Sequence, residues 1–175
     1  MIIKSVSDKV FNDKVKVKFE NINDGFEKYE NRILEGKDIS DSLVLENKII
    51  KFIENAFELN GEENSYIDFY YFKLSDEDKQ KIEDMLPDED KKILKEIKQY
   101  QFKGIYFYLT KELIHFIVRL STREILFSTI YFTKVPCTVW GNYGMSFPCF
   151  FESKEDIEIY KKVSENLELE IRKFN

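Results

Sequence analysis

FKGIYFYLTKELIHFIVRLSTREILFSTIYFTKVPCTVWGNYGMSFPCFF, residues 102–151, is the stretch on which the fold turns. Residues 99–152 carry 14 of the chain's 27 aromatic side chains but only five basic and three acidic groups. Apolar surface is stabilising only when it leaves water, so this segment is expected to build the core. Ile105–Leu109 and Ile125–Thr133 read as strands. Pro136–Trp140 and Met145–Phe151 read as a hairpin around the turn Gly141-Asn-Tyr-Gly144. Two registers are open. Pairing 141 with 144 sets Cys137 opposite Pro148, and pairing 141 with 145 sets it opposite Cys149, where a cross-strand disulfide is sterically feasible. Residues 111–120 fit a helical face (Leu113, Phe116, Ile117, Leu120) and a strand face (Ile114, Phe116, Val118, Leu120), and the helix is preferred. Ser121-Thr-Arg-Glu124 matches a capping box. The Phe/Ser/Thr/Ile/Tyr run behind it favours a strand, so the match is read as accidental.

Moving outward, Val15, Val17 and Phe19 alternate with lysines as a half-buried strand does. Asp24 is placed to cap a helix whose face holds Phe26, Tyr29, Ile33 and Leu34 and which stops at Gly36. Ser40 or Asp41 caps the next helix, with Leu45, Ile49, Phe52, Ile53, Ala56 and Phe57 inward and Asn60-Gly61 as its end. Ile67–Phe72 reads as a strand. Ser75 and Pro87 each precede three acids, which predicts helices over 76–86 and 87–100. From Ser153 a C-terminal helix is predicted, with Ile157, Tyr160, Val163, Leu167 and Ile171 as its apolar stripe. The order of elements predicts an α+β fold: a mainly antiparallel sheet of about 4–6 strands, concentrated in 102–151, packed against several helices. One domain is expected over residues 1–175, helix-rich in 1–100, strand-rich in 101–152 and helical again in 153–174.

Charge and motifs remove several kinds of function. The net charge of −6 and the pI near 5.1 disfavour nucleic acid, whose phosphates call for clustered Lys and Arg. Aromatics stacking on bases would also need a basic groove. Arg is scarce, at 32, 119, 123 and 172 only. The start of the chain lacks the apolar run of a signal peptide, and 104–133 is cut by charges, so no membrane partner and a cytoplasmic location are expected. Cys137, Cys149 and the single His115 provide too few ligands for a four-ligand zinc site. Asp76-Glu77-Asp78 and Asp88-Glu89-Asp90 fit helix first turns better than a calcium loop. Six glycines form no phosphate loop. No cofactor, metal or catalytic residue is expected.

The turn of the hairpin offers Trp140, Asn142, Tyr143 and Met145 as candidate binding residues, since Trp, Tyr and Met are enriched where proteins meet. Trp140 has a second reading, as a core anchor. The expected function is therefore a non-enzymatic module that binds another protein, of the inhibitor or immunity kind. Its acidic face over 61–98 would meet a basic partner. The alternatives are a small enzyme drawing on scattered carboxylates, tyrosines, His115 or a cysteine, and a structural protein that pairs with its own copies.

Overall fold

The strands bear out the α+β expectation and join in one antiparallel sheet. The computed structural model describes residues 2–174. In chain order the elements are α1 (Asp8–Lys14), α2 (Ile22–Lys28), β1 (Glu30–Gly36), α3 (Ser42–Asn60), β2 (Ser65–Asp68), α4 (Asp76–Met85) and α5 (Asp88–Ile97). They continue with β3 (Tyr106–Tyr108), α6 (Lys111–Thr122), β4 (Ile130–Phe132), β5 (Cys137–Val139), β6 (Phe147–Phe151), α7 (Lys154–Ser164) and β7 (Leu169–Arg172). Among the described residues seven strands pair in the order β3-β2-β4-β5-β6-β1-β7, one strand beyond the expected range, every pair antiparallel. Four of the seven lie within 102–151.

The two faces of the sheet are covered differently. On the first, α3, α6 and α7 enclose the main core, where Phe52, Phe69, Phe107, Phe116, Phe132 and Phe151 are fully buried. The second face is covered by residues 6–29. Phe11 of α1 stacks on Tyr106 and meets Tyr66 and Tyr131 edge-on, and Phe19 packs against Phe150. Alternate side chains of a strand point to opposite faces, so β2 sends Ile67 into the main core and Tyr66 and Asp68 to the second face.

Several elements differ from the sequence expectation. Residues 15–20 form no strand. Val15 and Val17 are buried as the alternation requires, but the segment crosses the sheet's second face and is held by side chains. Thr138 donates its hydroxyl to the Val17 carbonyl, and Tyr29 donates to the carbonyls of Lys16 and Lys18. The helix expected over 24–36 is α2, capped by Asn21 and ending at Lys28. Ile33 and Leu34 lie in β1, which gains a ladder on both sides. The strand over 67–72 is shorter, with Tyr70–Lys73 in a 3-10 turn, and that over 125–133 contracts to Ile130–Phe132. Pro87 sits at the cap of α5, which ends at Ile97 and not near 100.

The hairpin takes neither expected register. Cys137 lies opposite Phe151 and Val139 opposite Cys149, so the loop runs over 140–146 and the two thiols are offset diagonally, buried and free. Residues 111–120 are helical, within α6, as preferred. Ser153 does cap α7, in a full capping box with Asp156. That helix ends at Ser164, however, and Glu168 adopts a left-handed conformation. Leu169 and Ile171 then alternate inward along β7, which pairs with β1.

Candidate functional site

Among the described residues three carboxylates are buried: Glu46 at 4%, Asp68 at 6% and Asp90 at 1% exposure. An ionised carboxylate loses its hydration on burial, and that cost is offset only by close partners. Two of the three have a cation. Arg123 reaches Glu46 through two nitrogens, at 2.9 and 2.7 Å, and Thr122 adds a hydroxyl at 2.7 Å. Burial alone would push the Glu46 carboxyl up, but these bonds hold it below its usual value. Arg119 grips both oxygens of Asp90, Nε to Oδ2 at 2.9 Å and a terminal nitrogen to Oδ1.

Asp68 is different. Its Oδ1 accepts the Thr129 backbone N–H at 2.7 Å and its Oδ2 accepts the Tyr131 hydroxyl at 3.2 Å. Among the described residues no Lys, Arg or His makes an ion pair with it. Burial pushes its carboxyl up to about 6, against the pull of the Thr129 and Tyr131 bonds. The same burial, reinforced by the Asp68 charge, pushes the Tyr131 phenol well above its usual range.

Asp68 is one of the residues lining a cleft of about 320 Å³ on the second face of the sheet. The walls are Tyr70, Phe127, Trp140, Asn142 and Tyr143. Tyr143 is 67% exposed and Tyr70 43% exposed, so the rim is aromatic and open to water. Trp140 is half-buried, its ring stacked on Phe19 with centroids 5.4 Å apart. Phe127 meets Tyr143 edge-on at 4.7 Å. Asn142 donates to the Ser146 carbonyl, and the Gly144 N–H donates to Glu124, which fixes the loop that carries Tyr143. Gly141 lets the loop enter, because a Cβ there would lie 2.6 Å from the Ser128 carbonyl oxygen.

Three of the four sequence candidates, Trp140, Asn142 and Tyr143, thus line one cleft. Met145 turns the other way and packs partly buried against the main core. Sequence reasoning missed Asp68, Tyr70 and Phe127. The signal for Asp68 was present: one acid inside the run Tyr66-Ile-Asp-Phe-Tyr-Tyr71. A second cleft, of about 450 Å³ and lined by Asp8, Lys18, Glu20, Asp24 and Lys28, is linked to this site by Tyr131, which also lines it and bonds to Asp68.

The other candidates stay apart. His115 is exposed on α6 and meets only Glu54, at 2.8 Å. Cys137 is buried beside Cys149; burial and that neighbour push its thiol well up, away from the thiolate a nucleophile needs. Among the described residues no group of three or more His, Cys, Asp or Glu side chains is placed to hold a metal, and no helix is long and apolar enough to cross a membrane. Comparison with protein-family models, with curated proteins and with solved structures finds no match for this chain.

Proposed function

We propose that this chain is a non-enzymatic module that binds another protein, acting as an inhibitor- or immunity-like factor through the cleft beside the 140–145 turn. The observation that carries this reading is the pair of exposed tyrosines, Tyr70 and Tyr143, on either side of an open aromatic cleft. Aromatic rings that stand in water lose little flexibility and gain much apolar contact when a partner covers them. The paired strands beneath and the hydrogen-bonded loop hold this face in shape before binding, which lowers the ordering cost of association.

The test compares wild type with Tyr70→Ala/Tyr143→Ala as baits in a lysate of the native cell. Any captured protein is then purified and recombined with each bait. A one-to-one complex with wild type, weakened at least about tenfold by a variant of unchanged melting temperature, supports the reading. Failure of every captured protein to recombine in pure form would sink it.

A second reading, a small enzyme, has one observation in its favour. Asp68, raised to about 6 beside the Tyr131 hydroxyl, has the character of a general base. Its test is metabolite profiling of extracts incubated with wild type or Asp68→Asn. A compound consumed by wild type alone would favour catalysis, and identical profiles would remove it.

A further inference from the structure

We propose that the Asp68 cleft is a receptor for a guanidinium cation and, on the protein-binding reading above, takes an arginine side chain of the partner. The inference rests on a comparison within the molecule. Every arginine of the chain already meets a carboxylate: Arg32 with Glu30, Arg119 with Asp90, Arg123 with Glu46, Arg172 with Glu35. Glu46 and Asp90 are satisfied internally by this means. Asp68 is buried to a similar degree, receives two hydrogen bonds, lines a cleft and has no cationic partner among the described residues. An external guanidinium would supply the group that the other two buried acids find inside the fold.

The walls fit that occupant. A guanidinium is planar, weakly hydrated and stacks on aromatic faces while its N–H groups donate in the plane. Trp140, Tyr143, Tyr70 and Phe127 line the same cleft as Asp68, and a pair formed out of water is less screened than a surface one. An ammonium has the charge but not the planar shape. The net charge of −6 favours the approach of a basic partner to the molecule as a whole.

Trp140 is the only tryptophan in the chain and lines the cleft, so its fluorescence is a built-in reporter. The 175-residue chain is titrated with N-acetyl-arginine amide and, separately, with N-acetyl-citrulline amide, which has nearly the same shape and no charge. Binding is followed by Trp140 emission and by the NMR signals of the Thr129 amide and the Trp140 indole. The expected result is a saturable response to the arginine probe confined to the cleft. It should weaken at least about tenfold in Asp68→Asn and in the independent wall variant Tyr143→Ala, with the citrulline probe weaker by a similar factor. Tyr143 is exposed, so its variant tests the cleft even if Asp68→Asn alters the fold.

Equal responses to the two probes, no saturable response, or full binding by both variants would overturn the proposal. Failure here beside a protein complex that is sensitive to Tyr143→Ala would remove only the cationic occupant. Saturable arginine binding with no protein partner recovered would keep the guanidinium site and count against the protein-binding reading.

Discussion

A carboxyl held between Ile67 and Phe69 on an interior strand has two ways to escape the cost of burial: it keeps a proton or it meets a cation. Without ligand, Asp68 takes the first only up to about pH 6, and above that it is a buried charge. Its value rises from 3.8 to about 6 on folding, so the folded state binds the proton more tightly than the unfolded chain. The stability this lends is fully present below about pH 4 and is lost as pH climbs through 6. At about 1.4 kcal/mol per pH unit of separation, the loss amounts to roughly 3 kcal/mol. Asp68→Asn keeps an acceptor for Thr129 and removes the charge. It should therefore be more stable than wild type at pH 7.5 by about 1–3 kcal/mol and no more stable at pH 4, as read by urea unfolding. Equal gains at both pH values would show that the gain does not come from removing a buried charge. Gly141 is a second single-residue constraint. A Cβ at this position meets the Ser128 carbonyl oxygen at 2.6 Å, and Gly141→Ala should lower stability by about 1–3 kcal/mol, as thermal unfolding would report. Sequence patterning located the aromatic turn because residue type alone marks it. It could not show Asp68 as buried, since burial depends on α1 and the 127–129 segment closing over β2 from distant parts of the chain.

At the scale of elements, α6 is the hub of the polar contacts that hold helices together. Arg119 reaches across to Asp90 on α5, and Arg123 at its end reaches Glu46 on α3. Removing one partner strands the other as a buried, unpaired charge, so Arg119→Met should cost roughly 3–5 kcal/mol. The double variant Arg119→Met/Asp90→Asn should recover much of that, since the uncompensated charge is gone. Denaturant midpoints of the two variants decide it: no recovery would mean that Arg119 acts through the packing of its stem and not through Asp90. The scarcity of arginine was visible in the sequence, but its meaning was not. Nothing in linear spacing pairs position 119 with 90 or 123 with 46. The misread elements have a related cause. The alternation over Val15–Phe19 is real, but period 2 reports an extended chain buried on one side, with or without a ladder. Leu167 and Ile171 fit a helical stripe, while Leu169 and Ile171 fit a strand. Pairing with β1 decides between them, and β1 itself gains its conformation from neighbours on both sides. The long helix α3, with its Asp41 cap and Gly61 stop, was legible because its signals are all local.

For the molecule as a whole, two kinds of negative charge act at different stages of an encounter. The surface excess that gives −6 is spread over exposed acids such as Glu77, Glu89 and Glu168 and works at a distance. It raises the rate at which a basic partner arrives and is screened within about 8–10 Å at physiological salt. The Asp68 charge lies beneath aromatic walls and is felt only after docking, where salt screens it little. Association and dissociation should therefore separate cleanly in a biosensor experiment on the recombined complex. Raising the ionic strength should slow association by about tenfold or more while changing dissociation little. Asp68→Asn should do the reverse, leaving association within about twofold and speeding dissociation about tenfold or more. If Asp68→Asn instead slowed association and left dissociation unchanged, the carboxylate would be acting as one more surface charge, and the cleft would have no privileged part in holding the partner.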